Sequence, residues 1–594
     1  MLRLSFLVRP FLGLVLLGWT ASASADDGRP SYLAGYADDA AFAAQMEALQ
    51  ADDAIKVRSL GESAGGRDVW LITLGRGDDV DEKPAIAIVG SIEGSHLLGS
   101  ELTVRIAQQL AEDSREDDTL SSLLDRYTFY IVPRPDPDRS AKCFAKPMQT
   151  PVGNDRVTDD DRDFEQGEDP ADDLNGDGFI TQMRVEDETG DYIIDPADER
   201  VLIAADRKKN ERGRYRLLTE GRDDDQDEQF NEDGSGGVAI NHNFPHGYKP
   251  FQPHTGEHAA AESETRLLAD FFFDHPNIAV VFTFAPENNL FSPWKPSQDK
   301  ERIRKTIFPA DATLLELVAS DYKKLHGGSD PPPAPTAHGS LSQWGYFQYG
   351  RWSLSSRGWW VPKTEAPKAE EAKTEEATEN KSEDQPKSDE DKPAADKVDA
   401  KASKKADDDK RGADERNLLR WLKANELDGF VEWKAVEHPD FPGKTVEVGG
   451  FKPLVGLNPP AKELDDLAER HLQFIRKLPE YLPELAIIDA KAENLGGGLF
   501  RVTATAINRG YLPTMPEMGS VSGHNYPLQM SIELPKQAEL LQGHARERLT
   551  RLEGGGGKTE KTWLVRFTAE APAELQLKAW APAVGTATAK APLQ

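Results

Sequence analysis

Ile92-Glu93-Gly94-Ser95-His96 sets a carboxylate and an imidazole three residues apart, just after an apolar run and ahead of an amphipathic one. Oxygen and nitrogen donors in such a turn are the ligand types that zinc takes in an open, reactive site. A second apolar run, Val280-Val281-Phe282-Thr283-Phe284, is followed by Ala285-Pro286-Glu287-Asn288-Asn289, where Glu287 is the candidate oxygen donor and no histidine occurs. A third, Gly350-Arg351-Trp352-Ser353-Leu354-Ser355-Ser356-Arg357, ends on a cation. Arginine is protonated at any usable pH, so Arg357 cannot take a proton from a metal-bound water.

A different chemistry is written at Asp173-Leu174-Asn175-Gly176-Asp177-Gly178-Phe179-Ile180-Thr181, which fits the first nine places of a calcium loop. Oxygen ligands alternate at Asp173, Asn175, Asp177 and Thr181, and Gly178 stands at the sharp turn. The twelfth place is Arg184 instead of a bidentate glutamate, so the loop is not a complete EF-hand. Two acidic runs flank it, one holding Asp161 and Asp163, the other Asp223, Asp225 and Asp227. Such dense carboxylates repel one another unless neutralised, and a structural calcium ion would remove that repulsion. The competing reading is a flexible acidic loop closed by Asx turns.

The elements that must position these residues alternate. Val69–Leu74, Ala85–Val89, Phe129–Val132 and Ile278–Phe282 have the composition of buried strands, while Leu102–Leu110 and Ala259–Phe273 carry apolar residues at helical spacing. This predicts an α/β domain with a central mixed, largely parallel sheet, whose sites lie at the carboxyl ends of its strands. Glu93 and His96 fall there, directly after the Ala85–Val89 run. From Leu485 to Gln594 the pattern changes to short alternating runs divided by Gly and Pro, which predicts a C-terminal β-sandwich.

Residues 1–25 have basic residues, a short apolar core and a small-x-small end at Ala23-Ser24-Ala25, the layout of a cleavable signal. The expectation is a secreted or periplasmic protein, cleaved near Ala25, with no membrane span. The domain organisation read from these features is 1–25 signal, 26–362 α/β domain with an acidic insertion at about 155–235, 363–416 disordered charged insertion, 417–484 end of the α/β domain and 485–594 β-sandwich. Residues 363–416 lack aromatic residues and cannot bury enough apolar surface to offset the entropy of ordering. Cys143 is the single cysteine, so no intramolecular disulfide is possible. The formal net charge of −32 disfavours nucleic acid as a partner, since both carry the same sign.

Leu60-Gly61-Glu62-Ser63-Ala64-Gly65-Gly66-Arg67, Pro133-Arg134-Pro135-Asp136-Pro137-Asp138, Ile240-Asn241-His242-Asn243-Phe244-Pro245 and Gly339-Ser340-Leu341-Ser342-Gln343-Trp344-Gly345-Tyr346 follow one another in the chain. Together they resemble, in order, the conserved segments of M14 zinc carboxypeptidases. The resemblance implies a zinc held by two histidines and a glutamate, a glutamate base, and an arginine that clamps the substrate's terminal carboxylate. On this chain it puts Glu93 at a histidine position, His96 at the glutamate position, His242 beside Asn241 at the clamp, and Arg357 at the base. These exchanges point to a pseudoenzyme that keeps its cleft for binding peptide or protein C-termini. The alternatives are an active, rewired zinc carboxypeptidase using His96, Glu93 and Glu287, and a calcium-stabilised extracellular adhesive or structural protein. His246, His254 and His258 show no ligand spacing, and Trp352, Trp359 and Trp360 are expected to pack a core.

Overall fold

The structure, a computed structural model, describes residues 29–364 and 411–593 apart from 160–163, 165, 168, 225, 227–229, 232–235, 298–302, 329 and 336–337. The expected signal, most of the charged insertion, and Asp161, Asp163, Asp225 and Asp227 therefore lie outside the described residues.

The first strands are β1 (Ile55–Glu62), β2 (Asp68–Leu74), β3 (Ala85–Val89) and β4 (Thr128–Val132). The chain then leaves the sheet for β5 (Gln182–Glu186), β6 (Tyr192–Asp195), β7 (Asp198–Ala204) and β8 (Tyr215–Thr219), and returns with β9 (Ile278–Phe284) and β10 (Trp352–Ser356). The central sheet runs β1-β2-β4-β3-β9-β10. Its β4-β3, β3-β9 and β9-β10 pairings are parallel, and the β1-β2 and β2-β4 pairings are antiparallel. This is the mixed, largely parallel sheet that the sequence predicts. Every residue of β3, β4, β9 and β10 is buried, because helices cover both faces of the sheet. Helices Leu98–Glu116 and Leu464–Tyr481 bury Leu102, Ile106, Leu472 and Ile475 on one face. Helices Ser263–Asp274 and Leu341–Phe347 bury Leu268, Phe272, Leu341 and Trp344 on the other. Trp352, Trp359 and Trp360 are core residues, as their sequence context predicts.

The acidic insertion is more ordered than its composition implies. Its strands join β11 (Phe430–Val436) and β12 (Val446–Phe451) in a six-stranded sheet ordered β11-β12-β5-β8-β6-β7. Arg184, at the place where a calcium loop would end, belongs to β5, where it bonds Glu447 at 2.8 Å and lies over the Trp433 ring. The helix Ala413–Ala424 begins inside the segment expected to be disordered. Asp414 and Glu415 occupy its first turn, where negative charge is favourable to the helix dipole.

The remaining strands are β13 (Leu485–Gly496), β14 (Leu499–Asn508), β15 (Gln529–Ile532), β16 (Ala538–Gln542), β17 (Arg546–Arg548), β18 (Gly557–Phe567), β19 (Glu574–Ala581) and β20 (Gly585–Pro592). They form two four-stranded sheets, β13-β14-β18-β16 and β17-β15-β19-β20. Val502, Met530, Trp563 and Leu577 fill the space between them, as expected of a sandwich. The sandwich is fixed to the α/β domain by hydrogen bonds from Glu517 N to Asp311 (2.9 Å) and from Asn525 to Gly350 O (2.9 Å). No described helix is long and apolar enough to cross a membrane.

Candidate functional site

The cleft lies at the carboxyl ends of β3, β4, β9 and β10. The turn after β3 passes so close to the end of β4 that a Cβ on Gly90 would meet Pro133 O at 1.9 Å. The turn itself closes with His96 N donating to Glu93 O at 2.8 Å. Behind it Ser91 Oγ donates to His96 O at 2.7 Å, and Asn458 donates to Ser95 O at 3.0 Å. The backbone of the Glu93–His96 turn is thus fixed from the interior, and its side chains follow from that placement.

His96 is 1% exposed, and neither ring nitrogen has a hydrogen-bond partner. Burial, then the charges of Arg357 and Arg139, push its pKa down to about 3, so the imidazole is neutral. No side-chain bond joins it to Glu93. Glu93 instead faces Arg139 at 3.9 Å and accepts from Asn241 at 3.3 Å. The Asn241 amide also donates to both oxygens of Glu287, at 3.0 and 3.2 Å, while its carbonyl oxygen accepts from Leu341 N. Glu287 is 7% exposed, and burial followed by the charge of Glu93 raises its pKa to about 7.

Arg357 follows β10, and β9 separates that strand from β3. The ion-pair partner of Glu93 is not Arg357 but Arg139, from the helix Pro137–Lys142 that follows the neighbouring β4. Arg357 is half-buried, its pKa is lowered by burial, and it interacts with Glu93 only through the longer-range field. Burial also lowers the pKa of His242, which senses Glu93 on one side and His338 on the other. Hydrogen bonds and electrostatic fields thus link Glu93, His96, Asn241, His242, Glu287 and Arg357 in one place. Arg139 and Asp136 were not singled out by sequence reasoning, although Asp136 lies in, and Arg139 directly follows, the Pro-Asp-Pro-Asp turn. Asp136 is fully buried, and burial raises its pKa to about 7.

The Asp173 loop lies elsewhere. Asp173 accepts from Asp177 N (3.1 Å) and Gly178 N (2.8 Å), Asn175 from Asp177 N (2.9 Å) and Asp177 from Phe179 N (3.0 Å). Thr181 Oγ1 donates to Glu220 at 2.9 Å. Glu220 also accepts from Leu174 N, Asn175 N and Thr181 N at 2.9, 3.3 and 2.9 Å. The oxygens expected to ligate calcium thus close Asx turns around a buried carboxylate, and the structure gives a calcium site at Asp173, Asn175, Asp177 and Thr181 no support. Asp223 has its amide on Asp440. Glu220 comes from 39 residues beyond Thr181, so no local motif announces it.

A family model described as zinc carboxypeptidase, Peptidase M14, matches residues 42–170. Residues 42–170, which hold β1 to β4 and the Glu93–His96 turn, are thus similar to zinc carboxypeptidases. A second model, described as a domain of unknown function (DUF8731), matches 484–592, the sandwich. Human carboxypeptidase D is 30% identical over 110 residues, which is 18% of this chain and 8% of that protein. The zinc carboxypeptidase of Saccharothrix mutabilis subsp. capreolus is 27% identical over 113 residues, 17% of this chain and 26% of that protein. The chain thus spans well under two thirds of these relatives. Among solved structures, the carboxypeptidase A of Helicoverpa armigera aligns with a TM-score of 0.32 at 14% identity, covering 54% of this chain and 63% of that one. Thrombin activatable fibrinolysis inhibitor aligns with a TM-score of 0.33 at 12% identity, covering 56% and 69%.

Zinc is the metal expected of an M14 domain, and the donors present here do not fit it. Among the described residues no group of three or more His, Cys, Asp or Glu side chains is arranged to hold a metal ion. His96 is held between the fields of two arginines, Glu93 faces Arg139, and Glu287 is bonded by Asn241. A dication would have to enter beside Arg357 and Arg139, whose charges oppose it. Ala285, the first residue after β9, brings no donor side chain, and its amide donates to Ser356 O at 2.9 Å.

Proposed function

We propose that the α/β domain of this chain binds peptide or protein C-termini through the terminal carboxylate and does not hydrolyse them. The observation that carries this reading is Arg357: a half-buried guanidinium at the carboxyl edge of the sheet, where the resemblance expects a base, with its nearest electrostatic partner Glu93 already facing Arg139. A guanidinium in this setting is poorly solvated and offers a planar fork matched to a carboxylate. The same cation removes the proton acceptor that hydrolysis requires.

The test is fluorescence anisotropy with labelled peptides ending in a free acid or in an amide, alongside mass spectrometry of the same peptides incubated with protein and zinc. Preferential binding of the free acid without shortened products is expected. Release of C-terminal residues that disappears on substituting Glu93 or His96 would overturn the reading, as would equal affinity for acid and amide.

A further inference from the structure

Beside the cleft is a cavity of about 860 Å³ lined by His246, Lys249, Ile303, Lys305, His338 and Gln343 among others, and among the described residues no acidic side chain lines it. That absence is selective in a chain with 103 Asp and Glu against 71 Lys and Arg. Lys249 Nζ lies 2.7 Å from His338 Nε2. An ammonium can only donate there, so His338 accepts and is neutral, in keeping with burial and the Lys249 charge lowering its pKa. Lys249 is exposed and is a cationic side chain of the cavity lining. His246 forms part of its wall, stacked on Phe347 at a centroid distance of 4.3 Å, and burial lowers its pKa to about 4, so that it too is neutral.

The cavity wall is tied to the residues of the cleft through the backbone. Phe244 N donates to Gly339 O (2.8 Å) and Gly339 N to His246 O (3.1 Å), so 244–246 and 339 are laced together. Two residues on, Leu341 N donates to the same Asn241 that bonds Glu93 and Glu287. Gly339 has φ +65, and a Cβ there would meet His242 O at 2.4 Å, so the two segments can approach this closely only with glycine. His242, sensing both Glu93 and His338, marks the boundary between cleft and cavity.

From this arrangement we propose that the cavity receives an acidic side chain of the bound peptide, so that the ligands are C-termini with Asp or Glu shortly before the last residue. The inference rests on the carboxylate-binding reading of the cleft and adds a preference to it. Complementary charge at the entrance raises the affinity of acidic peptides and disfavours basic ones, and added salt weakens the effect.

Four labelled hexapeptides separate the two claims: free acid or amide at the end, with Glu or Gln at the three positions before the last residue. For the free acids, the Glu peptide is expected to bind about 5- to 10-fold more tightly than the Gln peptide, roughly 1 kcal/mol. Lys249→Glu should abolish or reverse that preference, and because Lys249 is exposed the thermal midpoint should not move. Equal binding of Glu and Gln free acids, or a preference that survives Lys249→Glu, overturns the inference while the cleft reading stands. A Glu preference lost in Lys249→Glu but indifferent to the terminal amide supports the cavity and refutes the cleft. Binding of none of the four refutes both.

Discussion

Arg357→Gln separates a binding cation from a structural one, because the two roles predict opposite signs in two measurements. If Arg357 meets the ligand's carboxylate, the lost contact is a charge-assisted bond of about 1.5–3 kcal/mol, a roughly 10- to 100-fold rise in Kd for free-acid peptides. The amide peptides, which lack the anion, should lose little. Stability should move the other way. Burial lowers the pKa of Arg357, which means that the folded protein holds this cation under a desolvation cost that Glu93, facing Arg139, offsets only in part. A neutral amide of similar reach removes that cost, which for one poorly compensated group is about 1–2 kcal/mol, or a rise in Tm of about 1–2 °C for a chain of this length. Arg357→Lys keeps the charge and loses the fork, so it should fall between wild type and Arg357→Gln in affinity. Anisotropy titrations and thermal denaturation of the three proteins make the test. A lower Tm for Arg357→Gln with unchanged acid-over-amide preference would show that the arginine supports the fold, and the reasoning would fail.

Glu287→Gln should become progressively more stable than wild type as pH rises. The native carboxyl holds its proton up to about pH 7, whereas the unfolded chain releases it near 4.5. Between those values the native state binds more protons, so wild-type stability falls with pH and levels off above about 7, by at most about 3 kcal/mol. A difference in Tm that stays flat from pH 4 to 8 would contradict this. His96→Leu should show the opposite trend: the native imidazole stays neutral down to about pH 3, while the unfolded one protonates below 6.5, so wild type loses stability as pH falls and the variant is spared. At neutral pH its Tm should be unchanged or higher, since the ring nitrogens it removes have no partners, and a fall of several degrees would refute this. Glu220→Gln turns an amide toward Thr181 N and Oγ1, and a cost of about 2 kcal/mol or more should appear as faster hydrogen exchange at Leu174 and Thr181. Unchanged exchange would mean that the Asx turns hold the loop without Glu220.

What was legible in the sequence follows from how far each feature reaches along the chain. The continuous apolar runs of β3, β4 and β9 announced strands buried on both faces, and the strand-helix alternation fixed where their carboxyl ends, and hence Glu93, His96, Glu287 and Arg357, would meet. The six-stranded sheet of the insertion was not legible. Its strands are short, half-buried and charged, as in Asp198-Glu199-Arg200-Val201, and β5 completes its pairing with β12, more than 200 residues away in sequence. Composition read the acidic stretches as needing a metal because it could not show that the loop's neutralising bonds come from backbone amides, with Glu220 as their hub.

The partners inside the cleft were hidden for a related reason. Arg357 and Glu93 attract one another in any reading that lists charges without distances, but β9 lies between their strands, and adjacency in the sheet order gave Glu93 to Arg139. That single step of topology leaves one guanidinium incompletely compensated at the mouth of a cleft that also keeps a neutral histidine without partners and a carboxyl titrating near neutrality. Groups held in such costly states persist where a ligand completes them, and a site with no further role would be expected to relax toward apolar packing. This pattern is what the proposed binding role would require of the cleft.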